Sequence, residues 1–153
     1  MFEKADGSLY KYMPYQVYVA TSMLANEDFI VAVQMVAGQG KTFIILILVK
    51  KHLLLGHKCC IVVPNEDLKR QYEKDFRIYF NPNDNVTIVS SASLRFTVEN
   101  NDIFFVDEAD KICRDHAFGF KKVADSAYIT GLPICLMGKK TYMMSATFGK
   151  YDT

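Results

Sequence analysis

The run Met35-Val36-Ala37-Gly38-Gln39-Gly40-Lys41-Thr42 lies between two apolar stretches, residues 29–33 before it and 43–49 after it, and few folds accommodate that arrangement. It reads as a strand over 29–35, a tight loop, and a helix over 41–55 that Gly56 is placed to end. Gly38 and Gly40 let the backbone turn sharply and aim successive N–H groups at one point, where the start of the helix adds partial positive charge. A polyphosphate fits such a point. In the pattern G-x-x-x-x-G-K-[ST] the lysine reaches the β- and γ-phosphates and the hydroxyl ligates Mg²⁺, and those places belong here to Lys41 and Thr42. Met35 stands where that pattern has its first glycine, so the match is to the shorter G-x-G-K-T core. A plain glycine turn before a capped helix would leave the same five residues, so a second element has to decide.

That element is Asp102-Ile103-Phe104-Phe105-Val106-Asp107-Glu108-Ala109-Asp110, a short buried strand ending in carboxylates. An acidic residue at the carboxyl end of a strand can hold Mg²⁺ opposite the loop threonine, which makes Asp107 the metal candidate beside Thr42. Glu108, one residue on, is expected to point to the other side and to orient and activate an attacking water. Alone, such a cluster reads as the acidic first turn of a solvated helix. Paired with the glycine loop upstream, it reads as the second half of a nucleotide site.

The chain has 153 residues, half of them hydrophobic, enough for one domain with a proper core and too apolar for disorder. A net charge of +1 gives no bulk electrostatic reason to bind nucleic acid, membrane or acidic partners, so any such binding must be local. Cysteines 59, 60, 113 and 135 form no C-x-x-C pair and no histidine pair has metal-ligand spacing, so reduced structural thiols and a reducing, intracellular compartment are expected. Cys59 and Cys60 open an apolar strand and should face opposite sides of it. The N-terminus lacks the basic start and apolar core of a signal peptide, and the longest apolar run, residues 43–49, is too short to span a bilayer. A soluble protein is expected.

Along the chain, Pro14 suits the first turn of a helix beginning near Tyr15. Residues 59–63 form a second strand closed by Pro64. Residues 66–80 carry Leu68, Tyr72, Phe76 and Tyr79 on one face, an amphipathic helix, before a turn over 81–85. Strands follow at 86–89, 103–106 and 141–144, whereas residues 111–140 give little pattern. Strands alternating with helices imply an α/β fold, a three-layer parallel sheet with helices on both faces. Ligands in such sheets bind beyond the carboxyl ends of the strands, where Gly38, Gln39, Gly40, Lys41, Thr42, Asp107 and Ser145 all fall.

In this order the residues resemble the first RecA-like motor domain of superfamily two helicases and translocases, a P-loop NTPase fold. The resemblance covers nearly the whole chain as a single ATP-binding domain, residues 1–153. Gly38-Gln39-Gly40-Lys41-Thr42 is similar to motif I, Val106-Asp107-Glu108-Ala109-Asp110 to the DEAD form of motif II, and Met144-Ser145-Ala146-Thr147 to motif III. The resemblance implies ATP and Mg²⁺ as ligands, with Lys41, Asp107 and Glu108 in catalysis. It also implies that Ser145 and Thr147 link the phosphate site to a neighbouring motor domain. Met13-Pro14-Tyr15-Gln16 resembles the upstream glutamine motif, which would make Gln16 the reader of the adenine edge. Pro64-Asn65-Glu66-Asp67-Leu68-Lys69-Arg70-Gln71 and Ser90-Ser91-Ala92-Ser93-Leu94 resemble the segments that touch RNA or DNA in that family, although a proline-ended strand and a serine-rich loop are ordinary features.

Such motors need a second RecA-like domain that supplies arginine fingers, and this chain ends five residues after Ser145-Ala146-Thr147-Phe148 without motifs IV to VI. The expectation is a fragment, a truncated product or one half of a two-chain motor. Two further readings stand beside the helicase one. A SecA-like protein-translocation ATPase shares the methionine of motif I, but not the Ser-Ala-Thr triplet. A non-catalytic nucleotide-binding half-motor would bind ATP and hydrolyse it hardly at all.

Overall fold

The computed structural model describes residues 2–3, 9–10, 13–28, 30–35, 40–91, 100–108 and 139–145. Near the N-terminus, β1 (Phe2–Glu3) pairs antiparallel with β2 (Leu9–Tyr10). Helix α1 (Pro14–Ala25) carries its proline in the first turn as expected, and Gln16, Ala20 and Met23 form its buried stripe. Strand β3 (Ile30–Gln34) leads to α2 (Lys41–Leu54), then β4 (Cys59–Val63), α3 (Glu66–Phe76), β5 (Val86–Ser90), β6 (Ile103–Asp107) and β7 (Lys140–Ser145). The fold is α/β: a five-stranded sheet in the order β3-β7-β6-β4-β5, parallel throughout, with flanking helices.

One consequence of parallel pairing is decisive for function. Every strand ends at the same edge, which gathers Gln34, Val63, Ser90, Asp107 and Ser145 along one line. Register fixes their neighbours: Gln34 lies opposite Ser145, and Asp107 opposite Met144. The Met35 N–H donates to the Ser145 carbonyl at 2.9 Å, so the strand entering the glycine loop stays tied to β7 past its last residue.

Apolar packing holds this edge rigid. Strands β4 and β6 are buried at every position, as the unbroken apolar runs of central parallel strands require. Cys59, Ile61, Val63, Phe105, Tyr142 and Met144 meet Ile44, Ile45 and Leu48 of α2, Ala20 and Met23 of α1, and Tyr72 and Phe76 of α3 in one core. Cys60, Val62, Phe104 and Val106 alternate with these and are equally buried. Helix α2 is buried all round over 44–49, which explains a run too apolar to be amphipathic. Cys59 and Cys60 are buried, and burial, with Asp102 and Cys60 nearby, pushes Cys59 up to about 12. Cys113 and Cys135 lie outside the described residues, as does all of 111–138. No described helix is long and apolar enough to cross a membrane.

Helix α3 stops at Phe76 rather than running to residue 80. The N–H groups of Tyr79 and Phe80 both donate to the Phe76 carbonyl, at 3.0 and 2.8 Å, closing the chain into turns. Pro82 then disfavours helical geometry at Asn81, and the Asp84 carboxylate accepts from the Asn81 N–H at 2.8 Å. The apolar face continues through the turns nonetheless: Tyr79 meets Phe43 edge-on at 6.0 Å, and Phe80 lies 5.2 Å from Phe76 with the Lys50 ammonium over its ring.

At the opposite end of the sheet, buried His52 touches Tyr142 Oη through Nε2 at 2.9 Å and His57 Nδ1 through Nδ1 at 3.1 Å. Burial, with the charges of His57 and Lys140, lowers its pKa from 6.5 to about 4. The folded state therefore resists a proton that the unfolded chain accepts below 6.5. Stability from this cluster is complete above about pH 6.5 and drains away as the pH falls towards 4. We expect the melting temperature to drop across that window. In His52→Gln the drop should shrink, and an undiminished acid slope in the variant would discount His52 as its source.

Candidate functional site

The site begins with a backbone irregularity. Gly40, the residue before α2, has φ 73° and ψ 33°, the left-handed region that glycine enters freely. A side chain could not follow it there for a second reason: a Cβ on Gly40 would sit 2.5 Å from Gln16 Nε2 and 3.1 Å from Tyr15 Oη. Buried Gln16 also accepts from the Met13 N–H through Oε1 at 2.9 Å, tying the start of α1 to itself. The glutamine expected to read a base is thus packed against the loop glycine, with its oxygen already engaged.

From this turn α2 starts with Lys41 and Thr42. The Lys41 ammonium lies 2.6 Å from Asp107 Oδ1 and 2.6 Å from Glu108 Oε1, joining residues 67 apart in sequence in the second pair. Burial pulls the Lys41 pKa down, but the two carboxylates outweigh it, and the net shift is upward. Lys41 stays cationic at any ordinary pH, and neither carboxylate stands without a countercharge.

Alternation along a strand would send Glu108 away from Asp107. Instead β6 ends at Asp107 and Glu108 takes φ 52°, a left-handed conformation costly for a side-chain-bearing residue, of the kind that concentrates at functional sites. The turn brings its carboxylate back to Lys41, while its N–H donates to Asp107 Oδ1 at 2.9 Å. The two acids converge on one cation rather than flanking the strand.

Sequence reasoning missed one member of the cluster. Tyr72, placed by periodicity on the apolar face of α3, donates its hydroxyl hydrogen to Asp107 Oδ2. Burial first, and then the Asp107 charge, push its pKa well up, so it remains a neutral donor. The available signal was its type: a buried tyrosine on a core face must satisfy its hydroxyl somewhere.

Ser145 is buried at the end of β7, in register with Gln34. Gly38, Gln39 and Thr147 lie outside the described residues, as do Ala109 and Asp110. Of the two segments expected to face nucleic acid, Pro64 to Ser91 is bridged directly, the Ser91 hydroxyl donating to the Pro64 carbonyl at 3.5 Å. Asn65 caps α3 by accepting from the Leu68 N–H at 3.0 Å. Residues 92–94 are outside the described set. A groove between α3 and β5 is lined by Phe76, Phe80, Val86 and Ile88 and by Lys69 of the first segment, and Lys41, Thr42, Asp107 and Glu108 do not line it.

Comparison with known proteins now bears on this geometry. Residues 9–116, more than half of the chain, match the family described as Type III restriction enzyme, res subunit. The chain belongs to that family. Its fold is that of helicase-type motor domains. UvsW of bacteriophage T4 superposes with a TM-score of 0.66 at 16% identity, over 96% of this chain and 32% of that one. A second UvsW helicase structure gives 0.65 over 96% and 56%. The SWI2/SNF2 ATPase core of Sulfolobus solfataricus, solved in complex with dsDNA, gives 0.60 at 15% identity over 89% and 32%. The res-family chain thus spans about a third to a half of the structures it resembles. No curated protein matches it in sequence.

Proposed function

We propose that this res-family chain is the ATP-binding half of a helicase-type motor, in which Mg-ATP binding and hydrolysis are coupled to nucleic-acid binding or remodelling. The observation that carries it is the convergence of Lys41, Asp107 and Glu108 beside a left-handed Gly40 at the carboxyl edge of a parallel sheet. The donor set suits a magnesium nucleotide: a helix start, one ammonium, one hydroxyl and two carboxylates. The ammonium lies between the carboxylates where a bound cation's charge would be needed.

In this reading Gly38, Gln39 and Gly40 wrap the phosphates with backbone N–H groups, and Lys41 exchanges its carboxylates for phosphate oxygens. Thr42 and Asp107 would hold Mg²⁺, which would supply charge neutralisation at the phosphates. Glu108, released from Lys41, orients the attacking water and accepts its proton. Gln16 steadies the Gly40 turn and offers its Nε2 towards the base. Ser145 and Thr147 relay the state of the site to a second RecA-like domain, on the same chain or a partner, whose arginine is worth about 10³ to 10⁵ in rate. The segments Pro64 to Gln71 and Ser90 to Leu94 form the near wall of the nucleic-acid path. DEAD-type motif II behaviour belongs to this proposal as well.

Calorimetry of Mg-ATP with the purified chain tests it. Binding should be measurable in the wild type, lost in Lys41→Ala and Asp107→Ala, and tightened by duplex DNA or single-stranded RNA added in a second titration. Binding that survives Lys41→Ala unchanged would overturn the site. Stimulation by unfolded polypeptide, and by neither nucleic acid, would replace the helicase reading with that of a protein translocase.

A further inference from the structure

Asp107, given the metal in the proposed function, touches one group outside it, the Tyr72 hydroxyl of α3. A tyrosine hydroxyl has a single hydrogen, and here it goes to Asp107 Oδ2. With Oδ2 of Asp107 engaged by Tyr72, Oδ1 faces the Lys41 ammonium and the Glu108 N–H.

We infer that Tyr72 is a positioning residue for the metal of the nucleotide site. The hydrogen bond from Tyr72 to Oδ2 fixes which Asp107 oxygen, Oδ1, is left for a cation. The inference rests on the proposed nucleotide site and extends it to a residue on another helix. Oxygen ligands of Mg²⁺ must offer lone pairs in near-ideal octahedral directions, so outer-shell hydrogen bonds that set those directions affect affinity directly. Tyr72 is well supported for such a role, its ring meeting Phe76 edge-on at 5.5 Å inside the core.

Tyr72→Phe removes the hydroxyl while keeping the ring and its packing. The experiment is calorimetric binding of ADP to the whole chain, once in excess EDTA and once across a Mg²⁺ titration. The expected result is an unchanged affinity in EDTA and an apparent Mg²⁺ affinity weakened by about 10–100-fold. In an Asp107→Asn background the same substitution should have a much smaller effect, because the carboxylate it orients is gone. Equal weakening with and without Mg²⁺, no weakening at all, or an undiminished effect in the Asp107→Asn background would each overturn the inference. A wild type that binds ADP under neither condition brings down the nucleotide site, and this inference with it. A wild type that binds, paired with a Tyr72→Phe chain of normal Mg²⁺ dependence, leaves the site standing and removes Tyr72 alone.

Discussion

Gly40→Ala is expected to lower the unfolding free energy by about 2 kcal/mol and to remove nucleotide binding together with it. The first contribution is conformational: φ 73° costs a side-chain-bearing residue about 1–2 kcal/mol. The second is steric, since the new Cβ would lie 2.5 Å from Gln16 Nε2. An amide at the end of a glutamine side chain can usually move, but Gln16 is 2% exposed and held by the Met13 N–H. Displacing it sacrifices that hydrogen bond, worth roughly 1 kcal/mol. Against these, alanine restricts the unfolded chain and returns roughly 0.4–1 kcal/mol. Urea unfolding gives the stability, and Mg-ATP calorimetry gives the binding. The sharper control is Gly56→Ala, where φ is 83° but nothing lies within 4 Å of the added Cβ. Gly56→Ala should carry the conformational cost only and leave the site intact. Equal losses in the two variants would mean that the Gln16 contact contributes nothing.

The contrast between those glycines illustrates what was legible in the sequence. Gly56 could be read as a helix terminator, and α2 does end beside it, because helix stops depend on local backbone preference. Gly40 could be read as a turn residue, but not as the residue that Gln16 packs against, because that contact joins two helices. The strands were legible for a similar reason. Central parallel strands are buried on both faces, so residues 59–63 and 103–106 stand out as continuous apolar runs. Strand order was not, since nothing in a strand's own composition says that β7 inserts between β3 and β6.

Within the site, the positions of Lys41, Thr42 and Asp107 were legible, since each was expected at the end of an element, and α2 begins with the first two while β6 ends on the third. Glu108 was legible by type and misplaced in direction: the period of two fails where a left-handed residue ends the strand. Tyr72 was hidden by its own periodicity. Its ring obeys the apolar face of α3 and its hydroxyl serves the site, and a hydropathy pattern records only the first. Gln16 shows the converse, a polar residue singled out for recognition that the fold also uses to start a helix.

Phe105→Ala should destabilise the fold by about 3–5 kcal/mol. Phe105 is 0% exposed, its ring stacked on Tyr142 at 5.2 Å and 12° and edge-on to His52 at 6.2 Å. It occupies the central position of β6, paired in register with Ile61 on one side and Tyr142 on the other, so no neighbouring backbone can collapse into the void. With total stability of about 5–15 kcal/mol for a domain of ordinary size, such a loss takes a large part of the whole. Urea unfolding should show a lower midpoint with an unchanged slope, the signature of lost stability rather than altered compactness. Phe105→Leu, which keeps most of the volume, should cost less than about 1.5 kcal/mol. The same truncation opens space beside His52, whose lowered pKa of about 4 comes first from burial. Water reaching that ring should restore part of its basicity, so the acid slope between pH 6.5 and 4 should flatten in Phe105→Ala as the absolute stability falls. A variant that loses stability but keeps the full acid slope would show that His52 is shielded by Tyr142 and His57 instead of by Phe105.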